Sequence, residues 1–194
     1  MSNILLILGH PSKNSFCNSL MDAYARGAEC SGSEIRTIYV GELNFNPNLS
    51  EGYKDRQSNI LEPDLEKAQH AIQWADHLVL VYPTWWGSMP AITKGFIDRI
   101  FLPGFAFKHQ KGVNFPEKLM KGKSIRILVT MDAPKLWFYL FYRASQYHML
   151  RQLVFDYVGF SPIRFNTFGF MRKSTPEQRL KWLNKVEDMG KKQK

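Results

Sequence analysis

Short apolar runs alternate along this chain with stretches in which apolar residues recur every three or four positions. Ile4 to Leu8 is a continuous β-favouring run closed by Gly9, the pattern of a parallel strand buried on both faces. A loop from His10 to Ser15 follows. Phe16, Leu20, Ala23 and Ala28 then recur near helical spacing, with Asn14 or Ser15 placed as the N-cap. Ser33 to Val40 alternates as a second strand, and the polar, Asn-rich stretch from Gly41 to Leu61 reads as loop. Leu65, Ala68, Ile72 and Ala75 mark a second amphipathic helix, opened by Pro63 and Asp64. His77 to Tyr82 repeats the buried-strand pattern, Pro83 to Met89 is a loop, and Pro90 stands at the first position of a helix carrying Ile92, Phe96 and Ile100. Ser124 to Thr130 is a fourth strand. A long aromatic helix, continuous or broken, occupies the region from Leu136 to Tyr157, and Ile163 to Phe168 supplies the last strand. Thr175, Pro176 and Gln178 form a capping-box signature for the C-terminal helix.

Five short strands alternating with helices require right-handed crossovers and a parallel sheet covered on both faces. The expected fold is therefore α/β, a three-layer sandwich with strand order 2-1-3-4-5, formed by residues 1–194 as one domain. In such sheets ligands bind beyond the carboxyl ends of the strands, at the switch point between strands one and three. The loops after Leu8, Tyr82 and Thr130 are the places to look.

Charge adds a second constraint. The 26 Lys and Arg exceed the 17 Asp and Glu, for a formal charge of +9, which favours an anionic partner such as a nucleotide phosphate. The basic residues are scattered, and the dense run Lys191, Lys192 and Lys194 reads as a solvated end, so nucleic acid is not expected as a partner. Cys17 and Cys30 have no metal-ligand spacing and read as reduced cytosolic thiols. No apolar stretch approaches the roughly 20 residues of a membrane helix, and Met1 to Gly9 lacks the features of a secretory leader. A soluble, cytoplasmic protein is expected.

The first loop, Gly9 to Phe16, runs into a helix N-terminus, where unpaired N–H groups and the helix dipole attract a phosphate. His10, Ser12, Asn14 and Ser15 add short polar groups and Lys13 adds charge; a tight turn with an N-cap explains the same residues about equally well. The loop lacks both the Gly-rich dinucleotide fingerprint and the Walker sequence. In the second loop, Trp85 and Trp86 bring flat apolar surface to the crevice, suited to a planar heterocycle, with Gly87 permitting close backbone approach. A random tryptophan pair more often roofs a core; the switch-point position tips this pair toward a ligand.

These pieces resemble the flavodoxin-like NAD(P)H:quinone reductases, the family of DT-diaphorase. The matching segments are Gly9-His10 with Ser15-Phe16, then Asn44-Phe45-Asn46-Pro47, then Tyr82 through Ala91, running on through Lys94-Gly95-Phe96 to Arg99 and Phe105. The resemblance implies a flavin, FAD or FMN, with NAD(P)H as donor. It implies flavin phosphate contacts at His10, Ser15 and Phe16, with Cys17 in the same turn. It also implies an isoalloxazine lying along Pro83, Thr84, Trp85, Trp86 and Gly87. Thr130 and Asp132 from the third loop complete the candidate cofactor set, although the family's Thr-Gly-Gly turn is here Thr130-Met131-Asp132-Ala133-Pro134. Asp132 reads as a turn or cap residue rather than a base.

The implied reaction passes a hydride from NAD(P)H to flavin N5 and then two electrons to a quinone or similar flat acceptor, one site serving both substrates in turn. Negative charge on the reduced ring needs a donor or a positive dipole. Tyr142, Tyr147 and His148 are the candidates for that catalytic role, with interface packing as their competing reading. Consecutive aromatics from Leu136 to Tyr147 cannot all face one core, so a homodimer with active sites at the subunit boundary is expected. Two other readings compete. One is a flavodoxin-type electron carrier; the other is a flavin-binding regulatory subunit associated peripherally with a membrane potassium-efflux transporter.

Overall fold

The computed structural model describes residues 2–49 and 61–192. Among the described residues seven strands lie in chain order: β1 (Asn3–Leu8), β2 (Glu34–Tyr39), β3 (His77–Pro83), β4 (Phe107–Lys108), β5 (Glu117–Lys118), β6 (Ser124–Thr130) and β7 (Ile163–Phe168). Five of them form one parallel sheet in the order β2-β1-β3-β6-β7, which is the expected 2-1-3-4-5 arrangement. The pair β4 and β5 is a small antiparallel ribbon that the hydrophobic pattern did not reveal, since two residues per strand carry no periodicity.

Alternation along β1 divides the core. Leu5 and Ile7 join the cluster under α2 (Pro63–Trp74) and α3 (Ala91–Ile100), while Ile4, Leu6 and Leu8 join the one under α1 (Phe16–Cys30) and α7 (Pro176–Lys192). A strand buried on both faces has no polar alternation to show, which is why its sequence is a plain apolar run. Pro90 caps α3 instead of occupying its first turn, a one-residue difference from expectation.

The aromatic region is broken. α4 (Lys135–Leu140) ends before Arg143 and Ala144, both with left-handed backbone (φ 49° and 48°), and α5 (Ser145–Met149) begins on a new axis. A wide π turn over Leu150–Phe155 and the short α6 (Asp156–Val158) complete the crossover to β7. Of the stretch expected to be loop, residues 50–60 lie outside the described residues. The part before them is held to α2: Asn44 N–H donates to Asp64 Oδ2 at 3.0 Å and Asn46 N–H to Glu62 Oε1 at 2.9 Å. Arg99 of α3 completes this anchor with a 2.7 Å ion pair to Glu62 and a 2.6 Å bond to the Asn46 carbonyl. Asn44, Asn46 and Arg99 thus hold the described part of this connection onto α2 and α3.

Candidate functional site

An open cleft of about 720 Å³ lies beyond the carboxyl ends of β1, β3, β6 and β7. It is lined by His10, Ser15, Phe16 and Cys17 from the first loop and by Pro83, Thr84, Trp85 and Trp86 from the second. Thr130, Met131 and Asp132 come from the third. Met171, Arg172 and Arg179 come from the last strand's exit and α7.

At the first loop Ser15 is extended (φ −151°, ψ 154°) and caps α1, its hydroxyl accepting from the Asn18 N–H at 3.3 Å. The N–H groups of Phe16 and Cys17 fall in the first helical turn, which has no intrahelical acceptor for them. His10 Nδ1 sits 2.9 Å from the Ser12 nitrogen and 2.8 Å from the Ser12 carbonyl, so either tautomer fixes the ring. Its plane meets Trp85 edge-on at 5.8 Å, which leaves Nε2 as the nitrogen for a ligand. Cys17 is buried, with Sγ 3.4 Å from Thr130 Oγ1; burial outweighs that hydrogen bond and pushes the thiol pKa up to about 11. It is a packing group beneath the cleft, with no thiolate chemistry.

Lys13 departs from expectation. Its ammonium pairs with Glu42 at 2.8 Å and lies over the Tyr39 ring at 3.6 Å, outside the cleft lining.

The second loop is a two-residue hairpin. Trp85 and Ser88 exchange backbone bonds of 2.8 and 3.0 Å around Trp86 (φ 50°) and Gly87 (φ 78°), the two positive φ values of a mirror-image turn. A Cβ on Gly87 would meet no protein atom within 4 Å, and it is the positive φ of the turn that favours glycine at this position. Trp86 is a non-glycine residue held left-handed and fully exposed, a strained placement of the kind that clusters at ligand sites. Thr84 is tied down at both ends: its N–H donates to the Thr130 carbonyl at 2.7 Å, and its hydroxyl accepts from the buried Gln146 at 3.1 Å.

The positive charge in the cleft comes from the last strand's side. Arg179 Nε donates to Ser174 Oγ at 2.8 Å and Nη2 to the Met171 carbonyl at 3.2 Å, with the guanidinium 5.4 Å from the Phe16 ring. Arg172 pairs with Asp132 at 2.9 Å. Sequence reasoning missed both arginines because it searched three loops, whereas the rule that ligands sit beyond strand carboxyl ends also covers the fifth strand.

The structure brings together every nominated cofactor residue except Gly87, which sits in the hairpin turn next to Trp86 and is not part of the cleft lining. Tyr142, Tyr147 and His148 do not line this chain's cleft. Tyr147 is buried, its hydroxyl 2.6 Å from Thr167 Oγ1 and its pKa driven up chiefly by burial. Tyr142 and His148 are exposed on the broken aromatic segment, and His148 and Tyr147 line a separate depression with Arg151 and Phe165.

A doubly wound sheet with its ligand cleft at the β1/β3 switch point defines a flavodoxin-like protein. The chain belongs to the flavodoxin-like fold family, whose model matches residues 2–188. The resemblance to the NAD(P)H:quinone reductases carried by its motifs is borne out by the relatives. A protein of Haemophilus influenzae named as an uncharacterized NAD(P)H oxidoreductase is 33% identical over 170 residues, 86% of this chain and 83% of that protein. Smu.1420 of Streptococcus mutans superposes with a TM-score of 0.85 at 27% identity, over 98% of this chain and 99% of that one. The NAD(P)H:quinone oxidoreductase of Methanothermobacter marburgensis superposes with a TM-score of 0.82 at 21% identity, over 100% and 96%. No helix among the described residues is long and apolar enough to cross a membrane.

Proposed function

We propose that this chain is an NAD(P)H-dependent flavoprotein oxidoreductase that delivers two electrons to a quinone or a similarly flat acceptor. The observation that carries the reading is the switch-point cleft itself, which joins a helix N-terminus and two arginines to a tryptophan platform. The residues fit a flavin mononucleotide or dinucleotide: the α1 N-terminus, Ser15 and His10 suit a phosphate, and Arg179 adds a cation beside the same helix. Bound there, a flavin supplies the two-electron chemistry, accepting from a nicotinamide and giving to the acceptor.

The protein's own part is placement and electrostatics. Trp85, braced by His10, and Pro83 offer apolar surface to a planar ring, while Trp86 projects into solvent where a second flat molecule stacks. Because that open face is shared, donor and acceptor use it in turn. Leu140 and Phe141 of the aromatic segment are each 63% exposed, and Trp137 stacks on Phe141 at 3.9 Å. An apolar surface of that kind supports a homodimer formed through this segment.

The purified protein is expected to be yellow and to bleach under anaerobic NAD(P)H, with parallel double-reciprocal lines against a quinone. Mass analysis of the released flavin then separates FMN from FAD. A colourless preparation that takes up neither flavin refutes the reading, and intersecting lines refute the shared face.

A further inference from the structure

Two segments on the cleft's far side are joined by a charge pair. The loop after β6 presents Asp132, and the turn after β7 presents Arg172; both line the cleft. The carboxylate is held twice by one residue: Oδ1 accepts from the Arg172 backbone N–H at 2.9 Å, and Oδ2 pairs with Arg172 Nε at 2.9 Å. A third bond, Met171 N–H to the Met131 carbonyl at 3.2 Å, ties the same two segments together. The turn that delivers Arg172 starts from Phe170 in left-handed backbone (φ 58°), so its direction is set by a strained residue that the neighbouring contacts retain.

This arrangement leaves most of the guanidinium available. Nε meets Asp132 as an ion pair at 2.9 Å, and among the described residues the structure gives the guanidinium's five N–H donors no hydrogen bond. Arg179, by contrast, is committed to Ser174, the Met171 carbonyl and the Phe16 ring on the α1 side of the cleft. The side chains nominated from sequence to meet negative charge, Tyr142, Tyr147 and His148, lie outside the cleft lining. Arg172 is thus the cation on the Asp132 side of the site.

We propose that Asp132 and Arg172 form a charge pair that sets how strongly the cleft prefers the reduced over the oxidised form of its bound flavin. Arg172 supplies the positive charge, and Asp132 both aims it and attenuates it. The inference rests on the flavin reading above. A flavin ring gains negative charge on two-electron reduction, and a fixed cation beside it favours that form, while a fixed anion opposes it. With both members present the local charge nearly cancels.

The pair therefore predicts shifts of opposite sign. D132N leaves Arg172 unopposed, so reduced flavin is held more tightly and the midpoint potential rises. R172M leaves Asp132 unopposed, so the potential falls. Each shift is expected to correspond to about a tenfold change in the ratio of reduced to oxidised affinity, about 30 mV for a two-electron couple. R172K is expected to recover most of the loss, and the double variant D132N/R172M to return near the starting value because the two charges act through one field.

The test is a spectroscopic redox titration of the flavin-loaded protein and these four variants, with the affinity for oxidised flavin measured separately by fluorescence. Both residues are exposed, and circular dichroism checks that each variant is folded. Opposite shifts that cancel in the double variant support the pair. Shifts of the same sign, or bound flavin with unchanged potentials, overturn it and leave the cofactor reading standing. A wild-type protein that binds no flavin overturns the cofactor reading, and the pair's role with it.

Discussion

Replacing Gly27 by Ala tests how the two helices on one face of the sheet are seated. Gly27 lies in α1 against α7, where an added Cβ would stand 1.9 Å from the Glu187 carbonyl oxygen and 2.9 Å from the Lys191 nitrogen. Across the contact a Cβ on Gly190 would stand 2.2 Å from the Tyr24 carbonyl oxygen, so the helices touch backbone to backbone. A helical carbonyl cannot rotate away as a side-chain tip can. The helices must separate by roughly 1 Å, a gap that forfeits a quarter to a half of the dispersion attraction across the contact. Leu20, Tyr24 and Val186, all fully buried there, lose packing together. Overpacking of this kind costs about 3 kcal/mol at the upper end of its range. Against it stands the helix propensity of Ala over Gly, about 1 kcal/mol in the opposite direction. The balance is a loss of about 2 kcal/mol. With a urea dependence of about 2 kcal/mol per molar, the unfolding midpoint is expected to fall by about 1 M at unchanged slope. Equilibrium urea unfolding followed by far-ultraviolet circular dichroism, with flavin at the same saturation in both proteins, measures it. A midpoint that rises, as propensity alone demands, refutes the close seating of α1 on α7.

The Glu62–Arg99 anchor gives a pH dependence. Partial burial raises the Glu62 pKa, but the Asn46 N–H, its own backbone N–H and the Arg99 guanidinium outweigh this, and the net shift is downward. A lowered folded-state value means that the stabilisation is complete above the ordinary glutamate pKa and is lost as pH falls through the folded value, so acid melts should steepen below about pH 4.5. E62Q should abolish that steepening and cost about 2 kcal/mol at pH 7, discounted from a fully buried pair because Glu62 is partly exposed; an unchanged acid limb counts against the anchor. Trp86 to Asn should separate stability from binding, because Asn-Gly is a preferred mirror-image turn: about 1 kcal/mol more stable, with weaker binding of flat acceptors. Equal acceptor affinity in that variant removes Trp86 from the site. Under native conditions a maleimide reagent should label Cys30, which is exposed, and leave Cys17 untouched until unfolding. Phe141 to Glu should yield a monomer by sedimentation with lowered activity; a variant that stays dimeric and active places the interface elsewhere.

The central strands β1 and β3 were legible in the chain because a strand buried on both faces leaves an uninterrupted apolar run, here closed by Gly9 and Pro83. Strand order and the switch point followed from handedness rules that need no coordinates. The helix N-terminus at Ser15 was legible too, and so was the place of the tryptophan loop, whereas its hairpin turn was not, because Trp86-Gly87 lacks the usual mirror-image turn signal. What only the tertiary structure decided was the meeting of segments far apart in the chain. Periodicity cannot say that Arg172 grips Asp132, that Arg179 lies over Phe16, or that Lys13 turns away to Glu42. Nor could it place Tyr147 against Thr167, because the break at Arg143 and Ala144 depends on two residues with no intrinsic preference for left-handed backbone. Local sequence determines which elements form and where their loops open. Which charged side chain fills a given cleft depends on rotamers and partners fixed only once the layers are packed, and there the free energies of neighbouring ion pairs differ too little for pattern to decide.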